Sequence, residues 1–126
     1  MKFIETKAAP IPAGHYSQAV VANGFVFAAG QLPIVPGATL EIPEGIAEQT
    51  RQVFKNLDAI LKASGSGLSD LVSVQIFISD LQLWGQFNAV YQEMLGSHKP
   101  ARTVVPCNAL HYGALVEVNA VAVARG

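Results

Sequence analysis

Hydrophobic and polar positions in this chain alternate with a period of two in some stretches and recur at helical spacing in others. Gln18–Gln31 reads as two strands joined at Ala22-Asn23-Gly24, because Asn-Gly between apolar runs tolerates the positive φ of a tight hairpin turn. Gln31–Pro43 holds three prolines and one glycine and reads as a loop. From Glu44 to Ala63, Ile46, Val53, Phe54, Leu57, Ile60 and Leu61 fall on one stripe of an amphipathic helix, and Gly65 sits where a C-terminal cap belongs. Leu71–Ser79 alternates as a strand: Val72, Val74, Ile76 and Ile78 form the core face, with Ser73, Gln75, Ser79, Leu71 and Phe77 on the other.

Asp80 is placed to cap a second helix with the stripe Leu83, Phe87, Val90, Tyr91, Met94 and Leu95, which Gly96 ends. Two more strands follow, around Arg102–Asn108 and Leu115–Ala124, with a turn through His111-Tyr112-Gly113 between them. In the last strand Val116, Val118, Ala120 and Ala122 form a small-residue face suited to helix packing. Leu115, Glu117, Asn119, Val121 and Val123 form an opposite face that is polar only in its middle. With a short strand admissible at Phe3–Thr6, the order predicts one α+β domain over residues 1–126. Its mixed single-layer sheet has about six strands and carries two helices on one face.

Composition adds that surface is expected to be buried between subunits, since 51% of the 126 residues are apolar and only 13% charged. No apolar run approaches the roughly 18–20 residues of a membrane helix. The start MKFIETKAAP does not resemble a secretory signal, so the expected location is cytoplasmic. The single Cys107 suggests neither a disulfide nor a zinc site, and reads as a small buried hydrophobe. A net charge of −1, with Lys and Arg scattered, argues against nucleic acid as a main partner.

Candidate chemistry concentrates near the C-terminus, where Pro100–Ala124 carries only two full charges, Arg102 and Glu117. Charges entering apolar, strand-like segments need partners or a ligand. A structural ion pair between them accounts for the pattern at least as well as a functional site does.

Gly14-His15-Tyr16-Ser17-Gln18-Ala19, Ala29-Gly30-Gln31-Leu32-Pro33, Asn88-Ala89-Val90-Tyr91, Pro100-Ala101-Arg102-Thr103 and Val116-Glu117-Val118 follow one another in register. From about Thr6 to Val123 this series resembles the RidA/YjgF family of reactive enamine and imine deaminases, and the Pro-Ala-Arg piece followed by Glu117 is its most specific part. The resemblance implies a chorismate-mutase-like homotrimer with active sites in the clefts between subunits. It also implies hydrolysis of 2-imino or 2-enamino acids to 2-keto acids and ammonia, without metal or organic cofactor, as a defence against damaging metabolites. His15, His98 and His111 show no metal-ligand spacing.

Under that resemblance Arg102 holds the substrate carboxylate through a bidentate fork that a lysine would not reproduce. Glu117, or a water it positions, moves protons, and Tyr16 lines the pocket with its hydroxyl near the reacting nitrogen. Burial favours the protonated form of Glu117, whereas proximity to Arg102 would favour the carboxylate. Asn88 matches a position near the site, with a helix-to-loop hydrogen bond as the plain alternative. Gly30 lets backbone approach the ligand, or marks a bulge or strand end.

Ala29 and Val104 occupy substrate-binding positions where relatives often carry serine and cysteine, so rate or substrate range is expected to differ. Gly14-His15-Tyr16 replaces the usual Gly-Pro-Tyr, which makes His15 either an added general base or an exposed loop residue. His111-Tyr112 points toward a subgroup with a different or larger substrate. The alternatives are therefore a pathway-specific enamine deaminase, for instance of 2-aminomuconate, and a keto-acid-binding trimer without turnover. An RNA-directed activity finds no support in the charge balance.

Overall fold

The computed structural model describes residues 1–37 and 39–125. Its strands are β1 (Lys2–Ile4), β2 (Ala19–Ala22), β3 (Phe25–Gln31), β4 (Leu71–Ile78), β5 (Ala101–Pro106) and β6 (Val116–Val123), and its helices are α1 (Ile46–Ala63) and α2 (Trp84–Leu95). Six strands form one sheet in the order β1-β2-β3-β6-β4-β5, antiparallel except where β5 runs parallel to β4. The expected α+β architecture is therefore the observed one.

The local signals act as their chemistry dictates. Asn23 and Gly24 take φ of 50° and 81°, and Ala22 pairs with Phe25 across the two-residue turn. At the end of α1, Gly65 adopts φ 73°, its N–H donates to the Lys62 carbonyl, and the Ser66 N–H donates to that of Leu61. This is a Schellman arrangement built on the only residue type without a steric penalty there. Asp80 accepts from the Gln82 N–H at 2.9 Å and caps a short 3₁₀ turn, Leu81–Leu83, that leads into α2.

Both helices cover one face of the sheet. Val53, Phe54, Leu57, Ile60 and Leu61 of α1 and Phe87, Tyr91 and Leu95 of α2 pack with Val26, Val74, Ile76, Ile78, Val116, Val118, Ala120 and Ala122. The small residues of β6 let the helices approach the middle of the sheet. Buried polar side chains tie loops to this core: Gln18 holds Thr6 and Pro10, Gln49 holds Pro43 and Leu115, and Asn56 holds Leu32 and Ile34.

One expectation needs correction. The pairing of β4 with β6 shifts between Leu71 and Ser73, so Leu71 turns into the core and Val72 stands 43% exposed on the surface. The residues between β5 and β6 do not join neighbours: β6 lies between β3 and β4, while β5 is an edge strand. His111–Gly113 forms a 3₁₀ turn in which Tyr112 takes φ 60°.

The face away from the helices is open. In-register partners line up Phe3, Val20, Phe27 and Val121 across four strands, with Phe25 and Val123 paired beside them. Toward the other end of the face stand Asn119, Gln75 and Thr103, then Glu117, Phe77 and Val105.

Candidate functional site

Arg102 lies on edge strand β5 in register with the buried Val74, so its side chain rises on the helix-covered face. There α2 presents Trp84, Asn88 and Tyr91, whose spacing places them on one side of the helix. The guanidinium carbon lies 4.9 Å from the Tyr91 ring centre and 5.8 Å from that of Trp84, and Nη1 donates to Asn88 Oδ1 at 2.7 Å. Asn88 thus bonds the arginine rather than a loop. A cavity of about 490 Å³ opens over this cluster.

Among the described residues the ion pairs join Arg51 to Glu48 and Glu93, Lys62 to Asp58, and Arg125 to Asp70. Arg102 and Glu117 belong to none of them, so the structural ion pair considered from sequence does not form within one chain. Glu117 stands opposite Phe77 on the open face, and the sheet itself separates it from Arg102.

Glu117 has its own surroundings. The β3–β6 register shifts between Ala28 and Gln31, leaving Ala29 and Gly30 without partner positions on β6. The Glu117 carboxylate fills the space above Gly30, where any Cβ would collide with it. Gly30 therefore makes room for the close approach of a side chain at a bulge. Gln18 O accepts from the Ala29 N–H at 2.9 Å, and the Gln31 side-chain amide donates to Ala29 O at 3.2 Å, which holds the bulge in place. Burial pushes the Glu117 carboxyl above the usual carboxylate range, and His111 pulls it partly back. Desolvation thus prevails within the protomer, and the group that opposes it is His111 rather than Arg102.

Tyr16 is 53% exposed in the loop before β2, beside Phe3, Glu5 and Pro12, and the two cavities it lines include neither Arg102 nor Glu117. Val104 follows Arg102 on the same face, paired with Ile76 and packed on the core. His15 is exposed, and Cys107 is half-buried with its thiol against Ile78 O at 3.5 Å. One protomer therefore carries three separate pieces: Arg102, Asn88 and Val104; Glu117, Gly30 and Ala29; and Tyr16.

Sequence reasoning missed the two aromatic rings beneath Arg102 and the anchoring by Gln18. Trp84 and Tyr91 stand at i−4 and i+3 from Asn88, a spacing that was available as a signal. Gln18 is chemically ordinary, and only its burial to 1% exposure reveals its part. Among the described residues no group of three His, Cys, Asp or Glu side chains is arranged to hold a metal ion, and no helix is long and apolar enough to cross a membrane.

The chain matches a family profile described as endoribonuclease L-PSP over residues 6–124. It is 45% identical over 120 residues to a RutC family protein of Pyrococcus horikoshii, covering 94% of each chain. It is 34% identical over 122 residues to the 2-iminobutanoate/2-iminopropanoate deaminase of Rattus norvegicus, covering 97% of this chain and 89% of that one. The crystal structure of E. coli TdcF with bound serine superposes with a TM-score of 0.92 at 35% identity, covering 98% of both chains.

Proposed function

This chain belongs to the RidA/YjgF family, and from that premise we propose that it hydrolyses small 2-imino acids and their enamine tautomers to 2-keto acids and ammonia, at a cofactor-free site between protomers of a cytoplasmic homotrimer. Arg102 carries the reading. It is a half-buried guanidinium, braced by Asn88 and by two aromatic faces and paired with no carboxylate among the described residues. Such an arrangement leaves N–H donors for the planar fork of a substrate carboxylate. The deaminase name of the rat relative supports the reaction, and the serine bound by TdcF carries a carboxylate of the kind Arg102 would hold.

Once the carboxylate is fixed, the C=N carbon is oriented for attack. The raised affinity of Glu117 for its proton suits it to protonate the imine nitrogen as water oxygen bonds to carbon. The resulting carboxylate takes back a proton from the added water. Transfer of the remaining hydroxyl proton to nitrogen then forms the carbonyl as the C–N bond breaks and ammonia leaves. Tyr16 of an adjoining protomer would close the pocket near that nitrogen.

Because the sheet separates Arg102 from Glu117 in one chain, the reading requires the Arg102 face of one protomer to meet the Glu117 face of the next. The apolar stripe of exposed Phe3 and Phe27 and half-buried Val20 and Val121 supplies a surface for such association. The family description as an endoribonuclease is not adopted for this chain, because a net charge of −1 gives no basic footprint for RNA.

Imines made in situ from L-amino acids by an amino-acid oxidase, with semicarbazide trapping what escapes, test the reading. Wild type is expected to divert imine from the trap and Arg102→Ala is not. If both leave the trap yield of buffer alone, the protein is not a general imine deaminase, and binding of 2-keto acids without ammonia release would identify the non-catalytic alternative.

A further inference from the structure

The cavity over Arg102 carries more positive charge than one carboxylate requires. Its wall within one protomer holds two full cations, Lys99 and Arg102, and no Asp or Glu. Lys99 joins no ion pair among the described residues. The acidic residue on the same helix, Glu93, is engaged by Arg51. Lys99 and Arg102 are three residues apart, a span of at most roughly 10 Å along the chain, and both reach one cavity.

The segment that carries Lys99 is pinned. His98 Nε2 lies 2.8 Å from the Leu71 carbonyl, and because a carbonyl only accepts, Nε2 carries the proton. The His98 N–H also donates to Leu95 O, and Gly96, at φ 63°, ends α2. The Tyr91 hydroxyl is buried in the same wall without a hydrogen bond to the protein. A volume of about 490 Å³ also leaves room beyond a three- or four-carbon imino acid.

We infer that Lys99 is a specificity-determining residue that receives a second acidic group, so that the preferred substrates are imines of dicarboxylic amino acids. This deepens the deaminase reading and rests on it. Arg102 takes the carboxylate beside the C=N bond, and the Lys99 ammonium takes the one at the far end of the side chain. A neutral side chain would leave that ammonium to water, so the gain belongs to the dianion alone.

The test compares kcat/KM for imines generated from L-aspartate and L-glutamate with those from L-alanine and L-leucine, in wild type, Lys99→Ala and Lys99→Arg. Binding of 2-oxoglutarate and pyruvate is measured beside it by calorimetry. The ratio of dicarboxylic to monocarboxylic kcat/KM is expected to favour the dicarboxylic imines in wild type. It should fall by roughly tenfold in Lys99→Ala, the size of one charge-assisted hydrogen bond in a half-open cleft, and be largely restored in Lys99→Arg. Turnover with a ratio that Lys99→Ala leaves unchanged overturns the inference and leaves the deaminase reading standing. No turnover, with 2-oxoglutarate bound more tightly than pyruvate through Lys99, overturns the deaminase reading and upholds the charge selectivity of the cavity. No turnover and no such preference overturns both.

Discussion

Glu117 and Gly30 form a pair in which one residue's missing side chain makes room for the other's carboxyl. The atom that a new Cβ would strike is the far end of a flexible side chain, and Gly30 does not sit at positive φ. Gly30→Ala is therefore expected to cost under about 1 kcal/mol in stability while displacing the Glu117 carboxyl, so that the melting temperature holds and kcat falls. A matching loss in both would show that the glycine serves the backbone instead. The proton on Glu117 supplies a second prediction. Burial raises its affinity for that proton and His111 lowers it. If the protonated acid drives the reaction, activity is lost as pH rises through the elevated Glu117 value, and His111→Ala moves that alkaline limb upward. By linkage, a carboxyl whose folded pKa is raised costs stability above the usual carboxylate range and not below it. Glu117→Gln should therefore gain stability relative to wild type at neutral pH, with the gain vanishing in acid. Denaturant titrations across pH check the sign.

Helix α2 shows how an element turns spacing into a site, because Trp84, Asn88 and Tyr91 reach Arg102 from one helical face. Asn88→Asp places a carboxylate where Oδ1 now accepts from Nη1, and the resulting ion pair competes with substrate. KM is expected to rise by roughly tenfold, more than in Asn88→Ala. Equal KM values in the two variants would separate Asn88 from the binding of a carboxylate. The elements themselves were largely legible, because Asn23-Gly24, Gly65 and Asp80 act through local chemistry that a sequence displays directly. The bulge that turns Leu71 inward was not legible, since Val72, Val74, Ile76 and Ile78 keep perfect alternation and nothing in the sequence marks the shift. The identities of Arg102 and Glu117 stood out by charge, whereas their placement on opposite faces depends on β4 lying between β5 and β6. That strand order is set by pairing across distant segments, and local pattern carries no record of it.

At the scale of the whole molecule, a sheet covered by helices on one side leaves the other with Phe3 at 67% and Phe27 at 48% exposure, and with Glu117 on the same face. Covering that face with neighbouring protomers would remove apolar surface from water and bring Glu117 of one chain toward Arg102 of another in one step. Phe27→Lys is accordingly expected to yield a folded protein by circular dichroism that sediments as a monomer and hydrolyses no imine. The sharper prediction concerns which chains share a site. Arg102→Ala and Glu117→Gln protomers are each expected to be inactive alone. Unfolded together and refolded as mixtures, they should regain activity, because an Arg102→Ala protomer still offers Glu117 and its Glu117→Gln neighbour still offers Arg102. A cyclic trimer containing both types always has one interface of that kind. If instead both residues served a site within one chain, no mixture could rebuild it, and activity would stay at the level of the separate variants. Refolded wild type measured alongside fixes the scale against which the recovery is read.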